Sequence, residues 1–304
     1  MNKIPSVGIL NYCFLMKLVR PFLLLTFLRA ATSAYGALPA LPNDNYTDWA
    51  VFITIGEKVG SGFVMQASNS VYLVTARHVL FDDMGTVTNW HLWSTRAVVK
   101  GFHTISNAAE PSSWSMELNV AALLARGELR YSIPHDVALG RFEDCNPTNP
   151  AVVSIDETIV RFTSAEKSMR PFPASATKKL KQLVVGSDVV AFGFPSSIGL
   201  DEAPQIDRSL PLLRKGMIAG VNRSRETVIL DLPVYGGDSG GPVMLRESDG
   251  ITFCAFYMIG VQTQFVPFRE IGQNVRFHYF NQNWANSGYS VAEPLDAVLD
   301  MVWK

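Results

Sequence analysis

The chain has 304 residues, 48% of them hydrophobic and 17% charged, with a formal net charge of −1. That apolar share suits a sizeable folded core and excludes a disordered, highly charged chain. The near-neutral balance gives no basic surface of the kind that binds nucleic acid or anionic lipid.

Residues 16–34, "MKLVRPFLLLTFLRAATSA", place Lys17 and Arg20 before the apolar run Phe22–Leu28 and end in small residues at Ala34. The pattern predicts a signal peptide over residues 1–34, cleaved after Ala34 or Gly36, and hence an exported protein, periplasmic or secreted. The apolar run is too short to span a bilayer, so no stable membrane insertion is expected after cleavage. Residues 1–34 hold four basic residues and no acid. Without them the chain carries 22 basic residues against 27 acidic, a net charge of −5.

From Trp49 onward, short apolar runs alternate with turn residues. "WAVFITIG", "SGFVMQA", "SVYLVTA", "AVVKGFHTI", "DVALGRF" and "AVVSI" read as strands in the first half. "DVVAFGF", "GMIAGVN", "TVILDL", "GPVML" and "FYMIGVQTQF" do so in the second. Many short strands with little helical periodicity predict an all-β sandwich or barrel architecture. Two stretches read as helical, "MELNVAALLA" (residues 116–125) and "VAEPLDAVLDMVW" (residues 291–303). In the latter Val291, Leu295, Val298 and Val302 recur at helical spacing and predict an amphipathic C-terminal helix. The polar segment 144–182 is the best internal boundary. It divides a unit over residues 48–160 from a second over residues 161–304.

Chemistry centres on "DLPVYGGDSGGPVML", residues 231–245, where Ser239 lies among four glycines. Glycine-rich turns are common and most do no chemistry, so a nucleophile here needs a base and an orienting acid elsewhere. His91, His103, His135 and His278 read as ordinary strand, turn or capping residues. His78 in "YLVTARHVL" differs, because it stands where an apolar strand ends: fixed by the scaffold, yet near the surface. Among the acids, Asp136 in "IPHDVALGRF" directly precedes an apolar strand. A carboxylate in such a place is costly unless paired, and a histidine N–H is a suitable partner. The three residues are 58 and 103 positions apart, so only tertiary folding can join them.

"TARH" with His78, "HDVAL" with Asp136 and "GGDSGGP" with Ser239, in that chain order, resemble the signature segments of the chymotrypsin-like (trypsin-like) serine peptidases. "GSGFVM" (residues 60–65) is similar to the strand before the histidine segment in bacterial members. "DVVAFGFPSS" followed by "LRKGMIAGV" resembles the first strands of the family's second barrel. The resemblance covers residues 48–303. It implies two six-stranded antiparallel Greek-key β-barrels with a C-terminal helix, His78 and Asp136 coming from the first barrel and Ser239 from the second. It also implies a serine endopeptidase that needs no cofactor and acts on protein or peptide substrates. Ser239 would attack the peptide carbonyl and His78 would carry the proton. Asp136 would hold the imidazole, and the N–H groups of Gly237 and Ser239 would form an oxyanion hole.

The chain departs from the animal members in several places. "YGALPALPNDNYTDWAVFITIG" has no Ile-Val-Gly-Gly-like start whose freed amine could pair with Asp238. That aspartate needs another partner, an arginine or local N–H groups. The cysteines flanking the histidine and serine segments are also absent, which fits an exported bacterial type. Six residues before Ser239 stands Pro233, which gives no support for a preference for Arg or Lys. "VQTQF" supplies Thr263, Gln264 and Phe265 for the substrate-binding strand and pocket wall, Phe265 either narrowing the pocket or pointing into the core. Cys145 and Cys254 remain after signal removal and permit one bridge in an oxidising compartment. Cys254 reads equally well as a free residue in a buried strand. The Asp82–Asp83 pair reads as a solvated loop, not a calcium site. Two further functional readings stay open: a latent peptidase activated by a ligand or partner, and a catalytically silent binding protein that keeps the fold.

Overall fold

The computed structural model describes residues 46–82, 91–103, 112–146, 149–164, 169–196, 203–208, 210–248, 254–274, 276 and 279–302. The predicted signal segment lies outside them. Strands β1 (Ala50–Ile55), β2 (Lys58–Ala67) and β3 (Ser70–Ala76) are the first three apolar runs. Two-residue turns close them into an antiparallel meander, Ile55 opposite Lys58 and Ala67 opposite Ser70. Gly56 and Ser68 take positive φ in these turns, as the right-handed twist of a hairpin favours.

After β3 come a helical turn, Arg77–Leu80, and a separate two-stranded pair, β4 (Phe81–Asp82) and β5 (His91–Leu92). The remaining strands of this half are β6 (Ala97–His103), β7 (Ser112–Leu118), β8 (Leu129–Tyr131), β9 (Val137–Asn146), β10 (Asn149–Ile155), β11 (Val160–Phe162) and β12 (Phe172–Pro173). They join the meander in one ten-stranded sheet, ordered β10-β9-β3-β2-β1-β6-β7-β11, with β8 on β9 and β12 parallel to β2. Its core holds Ile53, Leu73, Trp114, Met116 and Leu123, all essentially without exposed surface. The second half is a closed six-stranded barrel, β13-β14-β15-β18-β17-β16. Its strands are β13 (Asp188–Gly193), β14 (Leu212–Asn222), β15 (Thr227–Asp231), β16 (Pro242–Ser248), β17 (Cys254–Asn274) and β18 (Tyr279–Pro294). Val189, Ile218, Leu230, Val243 and Ile259 fill it.

The fold is therefore the expected all-β, chymotrypsin-like one with a short C-terminal helix, Leu295–Val302. Six strands describe the second half; the first recruits ten. The expected division at residue 160 is corrected, because β11 spans it and pairs with β7, Val160 facing Leu118. Phe172 likewise finds cover beside β2, so the second barrel begins only at Asp188. Both sheets belong to one unit, Asn43–Lys304.

Both helix expectations also need correction. Met116 and Leu118 belong to β7, where Trp114, Met116 and Leu118 alternate inward. The helix is confined to Val120–Ala125, started by the Asn119 side chain accepting from the Ala122 N–H. At the C-terminus, Val291 lies in β18 and the helix starts after Pro294, burying Leu295, Val298 and Leu299. Among the described residues no helix is long and apolar enough to cross a membrane, and no cluster of three or more His, Cys, Asp or Glu could hold a metal ion. Asp83 and the side chains of Cys145 and Cys254 lie outside the described residues, and with them the bridge that the sequence permits.

Candidate active site

β3 ends at Ala76, and the turn Arg77–Leu80 begins there with Val79 and Leu80 buried beneath it. This anchoring leaves the His78 ring on the surface side, with its side chain 45% exposed. His78 Nδ1 lies 2.5 Å from Asp136 Oδ2, and the His78 main-chain N–H donates to Asp136 Oδ1 at 3.1 Å. A neutral ring donating from Nδ1 leaves Nε2 free to accept a proton. The Arg77 N–H donates to the Asp136 carbonyl, so two successive residues clamp the acid. Trp93 Nε1–H donates to the His78 carbonyl at 3.1 Å.

Asp136 is less buried than its apolar neighbours suggest, with a side chain 26% exposed. It stands at the bend before β9, where two N–H groups and the Arg77 guanidinium compensate it. His135 does not cap it. The His135 ring turns to the second barrel and pairs with Glu293 at 2.8 Å. Burial raises the pKa of Glu293, and the His135 hydrogen bond opposes that shift. His91 is exposed in β5, and the His103 side chain and all of His278 lie outside the described residues.

Ser239 sits in the tight loop between β15 and β16. Residues 236–240 are placed by hydrogen bonds on almost every peptide. The Gly236 carbonyl accepts from the Ser196 N–H at 2.7 Å and the Gly237 carbonyl from Ser61 Oγ at 2.7 Å. The Asp238 carbonyl accepts from the Gly241 N–H and the Ser239 carbonyl from the Ser61 N–H. The Asp238 N–H donates to the Tyr235 carbonyl and the Gly240 N–H to the Gln262 carbonyl. Two N–H groups are left over. Those of Gly237 and Ser239 have no acceptor among the described residues. Gly237 has φ +93, and a Cβ there would come within 2.3 Å of the Phe194 carbonyl oxygen, so no other residue fits without distortion.

Asp238 has no exposed surface. Both partners that the sequence left open are present: the Arg214 guanidinium from β14 donates to Oδ2, and the Tyr235 N–H donates to the same oxygen at 2.9 Å. The guanidinium also stacks over the Tyr235 ring, 4.8 Å from its centroid. Burial still pushes the Asp238 pKa above the ordinary carboxylate range, while Arg214 and the Tyr235 N–H pull against it.

The two halves meet around this loop. A Cβ on Gly60 of β2 would lie 2.7 Å from Val79, the neighbour of His78, and 3.3 Å from the Ser239 carbonyl oxygen. The Ser239 hydroxyl points to the Thr263 carbonyl at 3.5 Å, and among the described residues no hydrogen bond joins it to His78. Thr263 is buried, whereas Gln264 and Phe265 are exposed. Phe265, at 45% exposure, does not point into the core. Pro233 is half-buried in the segment leading to the loop. Sequence reasoning assigned no role to Arg214, Ser61, Ser196 or Glu293. Arg214 and Ser61 lie in the stretches "LRKGMIAGV" and "GSGFVM", but nothing local to them signals a partner far along the chain.

Residues 60–250 match a family model described as a trypsin-like peptidase domain. None of the curated proteins compared with the sequence matches it. Among solved structures, Deg5 is similar at 18% identity, covering 84% of this chain and 87% of that one, with a TM-score of 0.43. The HtrA-type protease AlgW with a tripeptide is 14% identical, and its alignment covers 84% of this chain and 59% of AlgW at a TM-score of 0.43. The protease Anisep from Arthrobacter nicotinovorans is 15% identical over 81% of this chain and 88% of its own, with a TM-score of 0.42. The family model spans well over half of the sequence, from within β2 to just past the end of β16, and the chain belongs to the trypsin-like serine peptidases.

Proposed function

We propose that the protein is an exported serine endopeptidase in which Ser239 is the nucleophile, His78 the general base and Asp136 the residue that orients the imidazole. The observation that carries this reading is the Ser239 loop itself. Its carbonyls are tied back, while the Gly237 and Ser239 N–H groups stay unbonded beside the hydroxyl. Such donors match the charge of a tetrahedral intermediate, where each is worth about 3 kcal/mol of transition-state stabilisation. Rotation of the Ser239 side chain from the Thr263 carbonyl toward His78 Nε2 completes the relay. Such contacts commonly tighten only when substrate binds. Ser239 Oγ then bonds to the scissile carbonyl carbon while its proton passes to His78. The protonated ring gives that proton to the leaving amine as the C–N bond breaks, and water hydrolyses the acyl-enzyme through the same base.

Thr263, Gln264, Phe265 and Pro233 are the residues proposed to border the substrate. The Arg214–Asp238 pair supports an enzyme that is active without release of a new N-terminus, since the aspartate already has its cation. The Ser239 hydroxyl facing Thr263 is the observation that favours the alternative, a latent peptidase. Casein digestion by the purified chain tests the reading. Wild type is expected to cleave it without pretreatment, with turnover lowered at least about 10⁴-fold in Ser239→Ala. Equal cleavage by both proteins would overturn the assignment. Export rests on residues 1–34, and N-terminal sequencing of the secreted chain is expected to start at residue 35 or 37. A start at residue 1 would refute the signal.

A further inference from the structure

We infer that Ser61, on the first sheet, is the positioning residue that holds the oxyanion-hole loop of the second barrel in its working shape. The inference rests on the proposed roles of Ser239 and Gly237. Ser61 has no exposed surface, and its hydroxyl and N–H are engaged across the junction of the two halves. Its hydroxyl donates to the Gly237 carbonyl at 2.7 Å and accepts from the Phe194 N–H at 3.0 Å. Its N–H donates to the Ser239 carbonyl at 2.8 Å, and its own carbonyl accepts from Thr75 Oγ1 at 2.7 Å.

The consequence follows from peptide planarity. In a trans peptide the C=O and N–H point in opposite directions, so tying one fixes the other. The Gly237–Asp238 peptide is held at both ends, its carbonyl by Ser61 and its N–H by the Tyr235 carbonyl. The Ser239 carbonyl is held by the Ser61 N–H. These ties bracket the Ser239 N–H, whose own peptide is pinned by the Gly241 N–H on the Asp238 carbonyl. The Gly237 N–H stands just before them, in the Gly236–Gly237 peptide, whose carbonyl Ser196 holds. Gly237, at φ +93, has no side chain to resist a peptide flip, so a hydrogen bond must do so. On the C-terminal side of Gly237 the Ser61 hydroxyl supplies it, from a strand 176 residues away in sequence; on the N-terminal side Ser196 holds the Gly236 carbonyl.

The test compares Ser61→Ala with wild type on one peptide substrate and one peptide-aldehyde inhibitor, whose bound hemiacetal carries the oxyanion. Ser61→Ala is expected to lower kcat about 10- to 100-fold with KM within about twofold, and to weaken the aldehyde by the same factor as kcat/KM. A role confined to stability would lower the melting temperature and leave these ratios in place. Should the alanine variant fail to fold, Ser61→Thr and Ser61→Val carry the comparison, since both add the same bulk and only threonine keeps the hydroxyl. Threonine is expected to exceed valine in kcat by about tenfold or more. Wild-type kcat in Ser61→Ala, or equal kcat in the threonine and valine variants, would overturn the inference. An inactive wild type whose Ser239 resists phosphonylation would instead overturn the functional reading, and the inference with it.

Discussion

Asp238 shows how a single residue sets conditions on the whole loop. Its carboxyl has no exposed surface, and Oδ1 has no partner among the described residues. Burial therefore lifts its pKa despite the Arg214 guanidinium. A folded-state pKa above the unfolded value favours the protonated carboxyl on folding. The associated stability is fully present below the ordinary carboxylate range and is lost as pH rises through the raised value. Arg214 limits that loss. Arg214→Met is expected to cost about 3 kcal/mol at pH 7.5 by leaving a buried charge unpaired, and the deficit is expected to shrink toward pH 5 as Asp238 takes up a proton. Urea unfolding at the two pH values measures both, and a deficit equal or larger at pH 5 would refute this account of the pair.

At the scale of elements, the site depends on where β13 ends. Phe194 follows that strand, is 1% exposed, and packs against Phe52 of β1 and Phe102 of β6 at 5.4 and 5.9 Å between ring centroids. The same residue's N–H meets Ser61. Phe194→Ala is expected to cost about 3 kcal/mol and to lower kcat, because the cavity opens where the two halves hold the Ser239 loop. Leu123→Ala, on the buried face of the helix Val120–Ala125 that packs into the core of the first sheet, is expected to cost a similar amount and leave kcat unchanged. Thermal melts and steady-state kinetics on the two variants separate the effects; equal kcat in both would refute the link between this junction and the site. Strands with continuous apolar runs, such as β3 and β13, were legible in the sequence because both faces are largely covered. β7 was not, since its inward Trp114, Met116 and Leu118 are interleaved with serine and glutamate and end beside a true helix. β18 was also missed. "YFNQNWANSGYSV" is too polar to read as a strand, and it is held by pairing with β17 rather than by its own burial pattern.

For the whole molecule, two sheets meet along one seam, and residues from both sides converge there. His78 and Asp136 come from the first sheet, and Ser239 with its glycine loop comes from the second barrel. Those three were readable because each lies in a short segment with its own local signature. Ser61 and Glu293 were not, because their partners lie across the seam; nor were Ser196 and Arg214, whose partners Gly236 and Asp238 lie 40 and 24 residues away within the second half. Ser61 lies 176 residues from Gly237, and Glu293 lies 158 from His135. The central claim is that this seam assembles a reactive Ser239. It is tested most directly by treating wild type and Ser239→Ala with a fluorophosphonate and locating the adduct by mass spectrometry. The account predicts prompt loss of fluoride and one phosphonyl group on Ser239 of the wild type, with none on the variant. A folded wild type left unmodified, or an adduct elsewhere in both proteins, would contradict it.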